Sequence, residues 1–226
     1  MKFTFGIITI NGNEHRVGQI IESIRSSVRD DYQIVIVGGN DSHGQTHIRF
    51  DETVKKAWIT RKKNLITENA IYENIVYMHD YVALTPMWYD GFLSFGSDWD
   101  VCMTVITNGN DRYRDWCLNP LKVNGSALLL PYDEDRLIDH MYISGAYWVA
   151  KKHIMEEYPL DETLCWGEGE DAEWSLRCMP NIKYVMNTLS EVKLLKAKST
   201  KLSMAEQETL NKLIGYDKNS FIYERS

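Results

Sequence analysis

The first forty residues constrain the fold more than any other part of the chain. Residues 3–10 (FTFGIITI) and 33–37 (QIVIV) are short apolar runs rich in β-branched side chains, the pattern of strands buried on both faces. Between them Asn11-Gly12-Asn13 breaks the first run and Asn13 is placed to cap a helix. Val17, Ile20, Ile21, Ile24 and Val28 then recur on one helical face. A strand, a helix and a second buried strand in succession imply a right-handed βαβ unit and a parallel sheet. Ligands of such sheets bind beyond the carboxyl ends of the strands. That directs attention to Thr9, Ile10 and Asn11, and to residues 38–41, where Asp41 follows two glycines.

The rest of the chain continues the alternation. A helix is expected over 61–72 and a third buried strand over 74–78, with His79-Asp80-Tyr81 at its end. Pro86 starts a short aromatic helix through Trp88, Tyr89, Phe92 and Phe95, and a strand follows over 100–106. Residues 108–124 are polar and loop-like, and 127–130 offer a short strand. The run 142–150 (YISGAYWVA) is strand-like, with Gly145 permitting close backbone approach, and 151–158 is a helix stopped by Pro159. The acidic stretch LCWGEGEDAEWSLR (164–177) opens a further helix, and 183–186 is a late strand. Beyond residue 199 the chain is polar, with one weakly amphipathic helix over 203–214. The expected architecture is a single α/β domain over 1–226, its core at about 1–190 and a C-terminal helical appendage over 191–226.

Composition narrows the partners. The 226 residues carry a net charge of −7 and no long basic run, so a nucleic-acid backbone is not the expected partner, although a few local cations would serve a phosphate-bearing small molecule. The four cysteines, Cys102, Cys117, Cys165 and Cys178, have no CxxC spacing and read as free thiols of a reducing compartment. No run reaches about 18 apolar residues, and the opening has no basic flank or small-residue cleavage site. A soluble, cytoplasmic protein without signal peptide or transmembrane segment is expected.

Several residues can carry chemistry, each with a plainer alternative. Asp80 at a strand end, with His79 beside it, suits Mn²⁺ or Mg²⁺ in a mixed N/O site; equally, Asp80 can cap the next turn over a structural histidine. Asp41 can accept from a ribose or a base, or simply form the turn after Gly38-Gly39. Lys62 and Lys63, before Asn64, can meet phosphates or form a solvated basic face. Arg112 and Arg114 alternate with aromatics in DRYRDW and can clamp an anionic or sugar group, or pair with Asp111 and Asp115. His140 is either a further metal ligand or structural. Glu170 and Asp171 are a site or a dipole-favoured helix start. No GxGxxG, GxxxxGK[ST] or GxSxG pattern is present.

The order of these features resembles the GT-A-fold glycosyltransferases, particularly the family 2-like enzymes that use nucleotide-diphosphate sugars. The resemblance covers about residues 1–190 and rests on WGEGEDAEWSLR, similar to the family's late G-x-G-E-D element, on NIVYMHDYVAL, similar to its DxD strand, and on Ser144-Gly145-Ala146. His79 and Tyr81 depart from DxD by replacing both flanking acids. The resemblance implies a GT-A-type, Rossmann-like three-layer sandwich with a mainly parallel mixed central sheet. It implies that Thr9, Ile10, Asn11 and Asp41 hold the nucleoside and that Lys62, Lys63, Asn64, His79, Asp80 and Tyr81 line the donor site. Mn²⁺ or Mg²⁺ would sit on Asp80, with His140 as a further ligand.

The implied reaction moves a sugar from a nucleotide-diphosphate donor, a uridine one being expected, to a hydroxyl acceptor such as a glycan. Inversion needs a carboxylate to take the acceptor's proton: Asp171 first, Glu170 second. Trp166, Gly167, Trp174, Ser144 and Gly145 would form the acceptor side. Two other classes stay open: a glycoside hydrolase with paired carboxylates, and a non-catalytic nucleotide- or carbohydrate-binding module.

Overall fold

The protein is described by a computed structural model covering residues 1–40, 45–121 and 128–198. Its elements in chain order are β1 (Phe3–Ile8), α1 (Glu14–Ser27), β2 (Tyr32–Val37), β3 (Thr46–Ile48), α2 (Ile59–Asn69), β4 (Asn74–His79), β5 (Val82–Leu84) and α3 (Trp88–Phe95). They continue with β6 (Val101–Asn108), β7 (Asp111–Arg112), β8 (Cys117–Leu118), β9 (Leu128–Leu129), β10 (Met141–Tyr142), β11 (Tyr147–Lys151), α4 (Lys152–Glu157), α5 (Glu170–Cys178) and β12 (Tyr184–Leu194). The expected helix over 203–214 lies outside the described residues, as does Asp41.

The large sheet runs β3-β2-β1-β4-β11-β6-β12-β5, with β7 paired to β6. The β3-β2-β1-β4 half is parallel, β11 runs antiparallel between β4 and β6, β12 is parallel to β6, and β5 closes the edge antiparallel. The expected mixed, mainly parallel sheet is therefore observed. From β1 the chain moves outward to β2 and β3 and then returns across β1 to β4. Right-handed crossovers in opposite directions place α1 and α2 on opposite faces of the sheet. Gly6 faces α2, where a Cβ would lie 2.2 Å from Ile66. Phe3 and Phe5 face the other way, onto Trp88 of α3 with ring centroids at 5.0 and 5.5 Å. The alternation along one strand thus fills two apolar layers, and nearly every buried apolar side chain belongs to one contiguous core.

Three sequence readings shift. The 142–150 run is two strands, β10 and β11, separated by Ile143–Ala146, because Ser144-Gly145-Ala146 leaves the sheet at the carboxyl end of β4, where His79 N–H donates to the Ala146 carbonyl at 3.0 Å. The polar 108–124 stretch holds two short strands, β7 and β8; β8 pairs with β9 and β10 in a small second sheet. The late strand runs to Leu194 rather than 186, interrupted by a register shift between Asn187 and Glu191. Among the described residues no helix is long and apolar enough to cross a membrane, and all four cysteines are free thiols.

Candidate active site

The acidic pair is held by backbone that only glycine allows. Gly169 precedes α5 with φ 80°, in the left-handed region, and turns the chain so that Glu170 and Asp171 begin the helix. Gly145 N–H donates to Asp171 Oδ2 at 2.9 Å, while Ala172 N–H donates to Oδ1 at 2.9 Å. A Cβ at Gly145 would lie 2.7 Å from Asp171 Oδ2 and 3.2 Å from Glu170 Oε1, so any larger residue would push the carboxylates away. Lys63 reaches this point from α2. Its Nζ donates to the Gly145 carbonyl at 2.9 Å, lies 4.6 Å over the Trp148 ring and 4.0 Å from Glu170 Oε1. Burial pushes the Lys63 pKa down and that of Glu170 up; the Lys63 ammonium opposes the rise at Glu170 and Asp171 adds to it.

Beside this lies the end of β4. Thr9 Oγ1 donates to Asp80 Oδ2 at 2.8 Å and Asn13 Nδ2 donates to the same oxygen at 2.6 Å. Arg16 Nε donates to the Asp80 carbonyl at 3.1 Å, and its Nη2 stands 3.9 Å from Oδ1. Lys62, also buried, donates to the Thr9 carbonyl at 2.7 Å and pairs with Glu52. The His79 imidazole is held well below its ordinary pKa by burial first, then by Lys63, Lys198 and Lys62.

Two cavities meet over His79, Tyr81 and Trp166. One, of about 240 Å³, lies over the ends of β1 and β4 and includes Thr9, Ile10, Asn13, Arg16, Lys62 and Asp80. The other, of about 380 Å³, has Glu170 and Asp171 on one wall and Tyr113, Arg114, Tyr142 and Lys198 among the rest of its lining. Together they form one cleft across the carboxyl ends of the central strands, the switch point at which ligands of open α/β sheets bind.

Most residues expected from the sequence border this cleft, and several do not. Ser144, Gly145 and Gly167 line the larger cavity with Trp166. Trp174, expected on the acceptor side, is fully buried on the inner face of α5, with its Nε1–H donated to the Tyr158 carbonyl. Asn64 is turned away: it accepts from Leu160 N–H and donates to the Leu160 carbonyl. Asn11 is exposed at a turn and lines neither cavity; Asn13, two residues on, makes no cap hydrogen bond and reaches Asp80 instead. Neither Lys62 nor Lys63 forms a solvated face. Lys62 braces the end of β1, and Lys63 ties α2 to the acidic pair.

Arg112 pairs with the buried Asp115 and stacks 3.8 Å over Tyr132, whereas Arg114 points into the larger cavity. His140, in the 3₁₀ turn Ile138–His140, lines neither cavity, and among the described residues no three His, Cys, Asp or Glu side chains gather in a metal-holding group. The donor set therefore does not fit the expected Mn²⁺ or Mg²⁺ site: Asp80 Oδ2 already accepts from Thr9 and Asn13, Oδ1 faces the Arg16 guanidinium, and the motif supplies no second carboxylate. Arg114 lines the cleft, as its reading as an anion or sugar clamp expects, whereas Asn13, Arg16 and Lys198 at the cleft are not expected from the motifs. No signal in the sequence marks Asn13 as more than a cap, or Lys198 as more than a tail charge.

The fold is that of the GT-A-type glycosyltransferases. Residues 1–349 of S. aureus TarS in complex with UDP-GlcNAc match with a TM-score of 0.61 at 11% identity, over 89% of this chain and 62% of that one. GalNAc-T7 with UDP, GalNAc and Mn²⁺ matches with a TM-score of 0.65 at 13% identity, over 95% of this chain and 47% of that one. The chain spans less than two thirds of the length of either. At such identities the likeness is one of fold. No protein-family model and no curated protein matches the sequence.

Proposed function

We propose that the protein transfers a sugar from a uridine-diphosphate donor to a hydroxyl acceptor, with inversion at the anomeric carbon. The observation that carries this is the pair Glu170–Asp171, fixed against Gly145 at one wall of a cleft that continues past His79 and Asp80 to Thr9. The smaller cavity takes the nucleoside, and the larger takes the donor sugar and the acceptor. Similar folds solved with UDP-GlcNAc, or with UDP and GalNAc, support a donor of this class.

Asp171 is the base. Each of its oxygens accepts one backbone N–H, which fixes the side chain and leaves a second lone pair free on each. As the acceptor oxygen bonds to C1, its proton passes to Asp171; the bond from C1 to the diphosphate oxygen breaks, and that oxygen keeps the electron pair. Glu170, buried against Lys63, positions Gly145 and Asp171 from below. Trp166, exposed at the lip where the cavities meet, offers a flat face for a sugar ring.

The test is Asp171→Asn. Loss of a general base lowers turnover by about 10²–10⁴-fold, while uridine-diphosphate affinity, measured by calorimetry, stays near that of the unaltered protein. A variant that transfers at full rate refutes the assignment. Loss confined to Glu170→Gln exchanges the two roles.

A further inference from the structure

One oxygen of the side chain expected to hold a divalent cation is already engaged, and the other faces a guanidinium. Asp80 Oδ2 accepts from Thr9 and Asn13, and Oδ1 faces Arg16 at 3.9 Å. Its neighbours in the motif are an imidazole and a phenol, and the Lys198 ammonium lies 4.0 Å over the Tyr81 ring. A hard cation prefers six or so oxygens; here the other carboxylate of the smaller cavity, Glu52, is paired with Lys62, and the remaining charged groups there are ammonium and guanidinium.

The same place collects positive charge. Arg16 and Lys196 line the smaller cavity, and Arg114 and Lys198 the larger. Arg16, Arg114 and Lys196 all act on Lys198. The pKa of Lys198 is held down by burial first and then by Lys196, with Arg114 and Arg16 adding to the effect and Asp80 opposing it. Arg114 is held at φ 46°, a costly backbone for a non-glycine residue, and its buried Nε has no hydrogen-bond partner among the described residues. Of the cleft's carboxylates, Glu52 is paired with Lys62 and Glu170 faces Lys63, so these four cations are additional to the ones that pair those two acids, and in a protein of net charge −7 they form a site for a multiply charged anion.

Taking the cleft as a nucleotide-sugar site, as above, we propose that Arg16, Arg114, Lys196 and Lys198 bind the donor's diphosphate in place of a divalent metal ion. The N–H donors of these side chains meet the charge that develops on the diphosphate oxygen as the C1–O bond breaks. The mixed His79-Asp80-Tyr81 sequence follows from this. With the charge met by side chains, flanking acids would only repel the diphosphate.

Calorimetric titration of uridine diphosphate into the full chain, with EDTA and then with excess Mn²⁺ or Mg²⁺, tests the proposal. The dissociation constants are expected to agree within about threefold. Lys198→Ala and Arg114→Ala are each expected to weaken binding about tenfold or more, the loss of one charge-assisted hydrogen bond, and to flatten the salt dependence of affinity. The Lys198 backbone is held by the Asn108 side chain at 2.8 and 3.2 Å, so its side chain can be removed without releasing the chain; Lys198→Gln serves as a second variant. Binding that appears only with Mn²⁺ or Mg²⁺ overturns the proposal, as do variants with unaltered affinity and salt slope. A chain that binds no uridine diphosphate under either condition removes the donor reading itself, and the proposal with it, so the two failures are distinct.

Discussion

Glu170 is a buried carboxylate whose nearest cation, the Lys63 ammonium, stands 4.0 Å away. Burial raises its pKa in the folded protein, with Asp171 and Glu168 contributing in the same direction and Lys63 against them. The folded state therefore keeps a proton that the unfolded chain releases near the ordinary value of about 4.3. Stability from this group is fully present below that value and is lost as pH rises through the folded pKa. Urea denaturation of the unaltered protein and Glu170→Gln across pH 4 to 7 reads the difference. The unaltered protein should lose stability relative to the variant as pH rises, with a slope of at most about 1.4 kcal/mol per pH unit for one proton. Parallel curves would reject the buried-carboxylate account. At this scale the sequence was legible where backbone chemistry forced the outcome. Two glycines just ahead of an acidic pair, whose left-handed backbone favours glycine, and Gly145 in a strand-like run, where only a missing Cβ permits the approach to Asp171, pointed to the site. It was illegible for long side chains. Lys62, Lys63 and Asn64 are consecutive, yet two run inward to different targets and the third turns to Leu160. Helical phase decides this, and the local sequence does not reveal which neighbour lies opposite.

The elements that carry these residues are set by a single tight contact. Gly6 of β1 and Ile66 of α2 touch so closely that a Cβ at Gly6 would lie 2.2 Å from the Ile66 side chain. This closeness seats α2 low on the sheet and lets Lys62 and Lys63 reach the ends of β1 and β11. Gly6→Ala overpacks the contact and should cost about 1–3 kcal/mol; Ile66→Ala leaves a cavity and should cost about 2–5 kcal/mol. In the double variant the added methyl fills part of the space removed, so its cost should fall short of the sum by about 1 kcal/mol or more. Strict additivity in chemical denaturation would show that the two residues do not set the helix height. The strands of this half were legible because apolar runs bounded by turns admit few readings. The short strands β7, β8 and β10 were not, since two residues carry no periodicity. The full length of β12 was hidden because its polar alternation is interrupted by the register shift after Asn187.

Over the whole molecule, the turn of topology at β1 and the antiparallel insertion of β11 bring together segments more than a hundred residues apart. Thr9, Asp80, Gly145, Asp171 and Lys198 come from five separate stretches of chain, and Trp166 borders both cavities they surround. That convergence gives the cleft an optical probe. Of the seven tryptophans, Trp88, Trp99, Trp116, Trp148 and Trp174 are buried and Trp58 is half-buried; Trp166 is 64% exposed. A small polar quencher such as acrylamide should therefore reach mainly Trp166 in the free protein. A nucleotide sugar that spans the smaller cavity and enters the larger must pass the face of Trp166 and cover it. Adding a uridine-diphosphate sugar should lower the quencher-accessible fraction of the fluorescence, and Trp166→Phe should abolish the change while the buried indoles keep their emission. Uridine diphosphate alone reaches the junction but not the far wall, so it should protect less than the sugar-bearing donor. Equal protection by both would place the sugar away from Glu170 and Asp171, and the division of the cleft into a nucleotide half and a transfer half would then fail.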